Sequence, residues 1–228
     1  MEIDELLKRW KELLKPRTPN EGISSGSPRR GKITAAELHA ELEKDEDYQR
    51  WLKEKEAVGN ALDEAYAKDA KPLLDDLASI GIHIESVWDL VNTKSSYKTA
   101  IPILIEHLPR PYHIRNKEGI VRSLGVKEAK GKACRVIIDE YNRTPKDQKD
   151  YRWTFGNAMS VIMTPEYADE VIDIVEDESN GDSRHMFIAS LSKAGSPKVI
   201  KVLEGLLADK SEMIRTMAQK VLNRLNKE

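Results

Sequence analysis

The most constraining feature of this chain is a two-helix pattern that recurs along its second half. Each unit has an apolar stripe at helical spacing, a short polar turn, and a second stripe that begins near an arginine: Arg152, Arg184 and Arg215. Successive arginines are 32 and 31 residues apart. A fixed period in this range predicts stacked helix pairs that bury their apolar faces against each other.

Local signals upstream extend the pattern to residue 72. Pro72 can open a helix at its first turn, and Gly81 is placed to end it. Ser86 and Asp89 have the spacing to cap a short second helix that contains Trp88. Two short helices joined by a tight turn form an αα-hairpin, so these residues predict the first helix pair.

These units resemble HEAT repeats. The segment Ala100-Ile101-Pro102-Ile103-Leu104, followed by Leu108, is similar to a HEAT first helix with its bending proline, and 209–222 is similar to the loop and second helix. The resemblance covers about residues 72–226, with either Arg115 or Lys117 in the basic position of the first full unit.

The resemblance implies an all-α fold, a right-handed α-α superhelix with a helical N-terminal cap. First helices would lie on the convex outside and second helices on the concave inside. It also implies a structural role for Arg152, Arg184 and Arg215, each bonding an aspartate in an inter-helix turn.

The N-terminal third predicts a different organisation. Residues 1–14 form one apolar stripe that includes Trp10, which predicts an amphipathic helix that folds back on the main domain or docks onto another chain. Residues 15–33 are rich in Pro, Gly and Ser and predict a flexible linker. Thr34 and Glu37 form a capping box that opens a helical cap region over 34–71, bent or broken by the acidic run 45–47, before a repeat domain over 72–228.

Charge is arranged in bands although the formal net charge of the 228 residues is only −2. Residues 97–152 carry 13 basic and 7 acidic side chains, whereas residues 153–182 carry 8 acidic side chains and no Lys or Arg. The bands are either solvated helix faces or a surface that meets a partner of complementary pattern.

The sequence lacks three common motifs of phosphate-binding, catalytic and zinc sites. It has no Gly-rich phosphate loop, no Gly-x-Ser-x-Gly and no paired His-Glu zinc helix, so we expect no enzyme activity, no cofactor and no metal. Only Glu106, His107 and His113 hint at a metal, and surface or capping roles explain these histidines better. The single cysteine, Cys134, lies in an apolar helix and is expected to be structural.

We therefore expect a non-catalytic protein-binding scaffold or adaptor that uses the concave face of a short HEAT-like solenoid. An inhibitor or immunity-type protein is one concrete version. The expected setting is the cytosol, because no apolar run reaches the roughly 18 residues of a membrane helix and the first residues are acidic, unlike a signal peptide. A bacterial source and a monomeric state are expected as well. Large and cationic side chains of the central repeats are the expected contacts: Tyr112, Arg115, Arg122, Arg152 and Trp153.

The alternative is nucleic-acid binding through the basic band at residues 97–152, where cations alternate with aromatic residues. That mixture suits phosphate contacts and base stacking. A class of DNA glycosylases built from HEAT-like repeats uses a basic concave face in this way. The acidic residues that follow argue against this alternative, because their face would have to avoid the nucleic acid.

Overall fold

The computed structural model describes residues 2–15, 34 and 44–227. Within that part of the chain the protein is all-helical and contains no strand. It divides into two compact units, with the boundary between Lys68 and Asp69. The predicted linker, apart from Lys15, and Glu37 of the predicted capping box lie outside the described residues.

The first unit contains helices α1 (Ile3–Leu13) and α2 (Glu46–Asp69). The predicted amphipathic helix folds back on α2: the indole N–H of Trp51 donates to the carbonyl of Leu13 at 3.1 Å, and Arg9 forms an ion pair with Glu54. The Lys55 ammonium lies 5.0 Å from the centre of the Trp51 ring. By packing against each other, α1 and α2 therefore bury apolar side chains that neither helix could bury alone.

The acidic run at 45–47 forms the start of α2. The Asp45 carboxylate accepts hydrogen bonds from the backbone N–H groups of Asp47 (2.9 Å) and Tyr48 (3.0 Å), which is the geometry of an N-terminal cap. Glu46 and Asp47 then lie in the first turn of α2, where negative charge is favourable. A helix start at Glu46 agrees with the predicted break at this run, and 35–43 of the predicted cap region lie outside the described residues.

The second unit consists of five helix pairs, joined by turns and short 3₁₀ segments. The first helices of the pairs are α3 (Lys71–Ser79), α5 (Ile101–His107), α7 (Cys134–Arg143), α9 (Ala168–Glu176) and α11 (Pro197–Leu206). The second helices are α4 (Trp88–Asn92), α6 (Ile114–Leu124), α8 (Lys149–Ile162), α10 (His185–Ser190) and α12 (Glu212–Leu225).

Proline, glycine and capping residues explain where several helices begin and end. Pro72 lies in the first turn of α3, and Gly81, with φ of +82°, ends that pair's first helix as predicted. The Asp89 carboxylate accepts from the N–H of Ser86 at 3.0 Å. Pro102, in contrast, lies in the first turn of α5, so it begins the helix and does not bend it.

Packing in the second unit runs along the series of second helices. Helix α4 contacts α6, α6 contacts α8, α8 contacts α10 and α10 contacts α12, while each second helix from α6 onward also contacts the first helix of its own pair. One apolar core runs from Leu73 to Leu222 through these contacts. Gly119 allows the closest approach, because a Cβ there would overlap Val87 and lie 3.2 Å from the indole nitrogen of Trp88.

Replacing Gly119 by alanine should lower the free energy of unfolding by about 1–3 kcal/mol, since α4 and α6 would have to separate. The matched control is Gly205→Ala in α11, where an added Cβ meets nothing within 4 Å. That change should raise stability by about 0.5–1 kcal/mol, because alanine is the better helix former. Urea unfolding of both variants tests the packing, and equal effects would contradict it.

Candidate interaction surface

The repeated arginine of the central pair is buried. Arg152 is only 3% exposed, and its guanidinium donates to the carbonyls of Tyr141 (3.1 Å) and Thr144 (2.7 Å) in the turn before its own helix. It also donates to the side-chain oxygen of Asn180 at 2.7 Å, in the turn of the next pair. One side chain thus joins two successive turns.

Arg184 repeats this arrangement with a charged acceptor. It is 1% exposed, donates to the carbonyls of Val175 and Gly181, and forms an ion pair of 2.9 Å with Asp209 in the next turn. Burial raises the pKa of the Asp209 carboxyl, but the Ser211 N–H and the Arg184 guanidinium lower it by more, so this pKa lies below its ordinary value.

The two ends of the series differ from its centre. Lys117 occupies the basic position in the first full unit and pairs with Glu140 of α7. Arg215, in the last pair, donates to the carbonyls of Asp209 (2.7 Å) and Lys210 (3.0 Å) of its own turn. Arg184 bonds an aspartate as expected, but that aspartate belongs to the following turn. Arg152 is also structural but bonds Asn180 in place of an aspartate, and among the described residues Arg215 bonds only backbone carbonyls.

Two of the predicted contact residues come together on a tryptophan. The guanidinium carbons of Arg115 and Arg122, seven residues apart on α6, lie 5.2 and 5.7 Å from the centre of the Trp88 ring. Both arginines are exposed and Trp88 is half-buried. We call these three residues the Trp88 cluster. Arg122 is oriented further by an ion pair with Glu118 at 2.7 Å.

The other predicted contacts occupy separate places. Trp153 is half-buried and stacks on His185 of the next second helix, with ring centres 5.3 Å apart. Burial and the neighbouring Lys220 ammonium lower the pKa of His185. Tyr112 is also half-buried, and its hydroxyl contacts the ring Nδ1 of the buried His107 at 2.6 Å, so this contact holds its side chain in place.

Arg152 is the one predicted contact that the structure contradicts. Exposure of this side chain was expected from its place in the basic band, but its three hydrogen bonds are all internal and it cannot meet a partner. Sequence reasoning also missed Trp88 and His185 as parts of the surface. The alternation of aromatic and basic residues was a usable signal for Trp88 only if extended upstream of residue 97.

The charge bands are complementary to each other within the chain. Acidic side chains of α9 and the following turn pair with cations on both sides: Glu170 with Arg135, Asp177 with Lys146, Asp169 with Lys198, and Glu178 with Lys210. Hydrogen bonds from Ser179 and Lys146 lower the pKa of Asp177 to about 2. Exposed pairs of this kind contribute about 0–1 kcal/mol each, so banding alone is not a sign of a partner.

The cysteine and histidine side chains that could react or bind a metal are held in structural contacts. Cys134 is buried, contacts the carbonyl of Ile162 at 3.3 Å, and has a raised pKa because of burial. His107 is fully buried against Asp76 and Tyr112, which corrects the expectation of a surface or capping residue, whereas His113 does cap α6.

In the described part of the chain no three His, Cys, Asp or Glu side chains are grouped as a metal site would need, and no helix has the length and apolarity to cross a membrane.

Comparison with known proteins finds no relative: no family model, no curated protein and no solved structure matches this chain. The geometry of the chain itself is therefore the basis for assigning a surface.

Replacing Arg152 by methionine should destabilise the protein by about 2–4 kcal/mol, because buried carbonyls and the Asn180 side chain lose their donor while the aliphatic volume is kept. The matched control, Arg122→Met, removes an exposed guanidinium and should change stability by less than about 1 kcal/mol. Chemical unfolding measures both, and equal stabilities would show that the buried contacts do not hold the turns together.

Acid should weaken the Arg184–Asp209 contact. A carboxyl whose folded pKa is lowered from 3.8 contributes stability that is complete above about pH 5 and is lost as the pH falls through its folded pKa. Asp209→Asn keeps an acceptor, as Asn180 does for Arg152, but removes the titration. Unfolding free energies from pH 6 to pH 2 should therefore fall less steeply for the variant, and parallel curves would contradict the assignment.

Proposed function

We propose that this protein is a non-catalytic protein-binding scaffold whose binding surface is formed by its second helices. In this proposal the helix pairs stack as a HEAT-like right-handed superhelix, with second helices on the concave side. The Trp88 cluster is the observation that carries the proposal. Trp88, Arg115 and Arg122 are residue types enriched at interface hot spots, and here they already contact each other before any partner binds.

The arrangement of the cluster favours binding over support of the fold. Arg115 and Arg122 contribute exposed side chains, and part of the Trp88 side chain is exposed as well. The indole N–H is buried beside Gly119, so the exposed part of the Trp88 ring, and not this N–H, is the part that a partner would meet. The Trp153–His185 stack lies on the next second helices in the same series, so partner contacts can extend along α8 and α10.

Nucleic-acid binding is the weaker alternative. Of the 13 cations in the basic band, six form ion pairs with carboxylates: Arg110, Lys117, Arg122, Arg135, Arg143 and Lys146. Arg152 is buried as a seventh. Nucleic-acid binding gains when protein cations displace the counterions condensed on the phosphates, and about half of the cations in this band are already held within the chain.

The test compares the wild-type chain with Arg115→Glu/Arg122→Glu as bait in untreated and in nuclease-treated extracts of the source cells. We expect a stoichiometric protein partner to bind the wild type and to bind the double variant at least tenfold more weakly, because two hot-spot charges are reversed. Quantitative mass spectrometry identifies the partner, and titration with the purified partner gives the ratio.

The matched control is Lys127→Glu/Lys201→Glu, which makes the same change in net charge at exposed positions outside the Trp88 cluster. This variant should retain the partner. An equal loss of partner binding in both double variants would show that overall charge, and not the Trp88 cluster, causes the effect. Loss of all bound material on nuclease treatment would favour the nucleic-acid alternative. Unchanged melting temperatures exclude unfolding as the cause.

A further inference from the structure

Arg215, the basic position of the pair formed by α11 and α12, has no side-chain acceptor among the described residues. Arg152 and Arg184 each bond their own turn and, in addition, an Asn or Asp side chain of the next turn. Arg215 makes the same two bonds to carbonyls of its own turn. Within residues 2–15, 34 and 44–227 no carboxylate or amide side chain accepts from its guanidinium.

The surroundings of Arg215 form a basic groove along the exposed side of α12. The groove has a volume of about 800 Å³ and is lined by Leu207, Arg215, Thr216, Gln219, Lys220, Asn223, Arg224 and Lys227. Four of these eight residues are cationic and none is acidic. Leu207 is 37% exposed and offers an apolar contact beside the charges.

We propose that this groove, here named the Arg215 groove, binds an acidic segment of a partner protein that presents a carboxylate to Arg215. The preceding pair shows the bond that would form, because Asp209 meets Arg184 in the equivalent position at 2.9 Å. Lys220 and Lys227 would attract further acidic side chains of the same segment, which accelerates encounter and selects against basic partners.

A protein segment fits the groove better than a nucleic acid does. The acceptor that this position uses elsewhere in the chain is a single carboxylate or amide side chain on a turn. Trp153 and His185, which could stack on bases, are not among the residues that line the groove. The inference concerns a surface separate from the Trp88 cluster and does not depend on it.

The probe is a synthetic peptide with the sequence of residues 206–214, which carries the turn of Asp209. Titrated into the ¹⁵N-labelled full chain at low salt, it should shift the Arg215 Nε–H signal and the backbone amides of 215–227. We expect a dissociation constant on the order of 1 mM, as for a contact of a few residues. A peptide with Ala in place of Asp209 should bind at least about tenfold more weakly, because it lacks the charged acceptor.

Gln219→Glu provides the test within the protein. A glutamate four residues after Arg215 lies beside it on α12 and occupies its guanidinium without disturbing the core, because Gln219 is exposed. This variant should weaken peptide binding at least fivefold. The matched control is Gln148→Glu, the same substitution at an exposed residue before α8, which should bind the peptide like the wild type.

Three results would overturn the proposal. The first is the absence of shifts at Arg215 with the Asp-bearing peptide at 10 mM, or equal shifts with the Ala peptide. The second is tighter binding of a single-stranded oligothymidine at the same signals, which would assign the groove to phosphate. The third is a concentration-dependent dimer that hides these signals before any peptide is added, which would assign it to a second copy of the chain.

Discussion

A buried guanidinium that joins one inter-helix turn to the next is the interaction on which the stacking of helix pairs depends. Arg152 and Arg184 each donate hydrogen bonds to backbone carbonyls of their own turn and also bond a side chain of the following turn. Because these atoms are shielded from water, a displaced helix pair would leave several polar groups without partners. We infer that the arginines set the register of the stack more than they raise its net stability.

Burial also distinguishes the two kinds of ion pair in the protein, the buried and the exposed. Loss of one partner from a buried pair such as Arg184–Asp209 costs about 3–5 kcal/mol, because the other charge stays buried and unpaired. The exposed pairs around α9 contribute far less individually. They do, however, place acidic α9 between two basic neighbours, so the charge bands act together with the arginines on the order of the helix pairs.

The sequence predicted the helix pairs well because their signals are local. Apolar spacing, Pro72 and Gly81 act over one or two turns of the same helix. The site could be predicted only in part, because its contacts are not local. Arg152 and Arg122 look alike in sequence, and burial of Arg152 depends on Asn180, 28 residues away. Trp88 gains its role from arginines 27 and 34 residues later, a pairing that only the stacking of α4 on α6 reveals.

Preorganisation would favour the Trp88 cluster as the binding surface proposed above. A partner that meets mobile arginines must order them, at about 0.5–1.5 kcal/mol for each side chain. In the Trp88 cluster much of that ordering has already occurred during folding, because the indole lies against Gly119 and both guanidinium groups lie on the indole. The close approach of α4 and α6 thus serves the core on one side and holds a rigid cationic surface on the other.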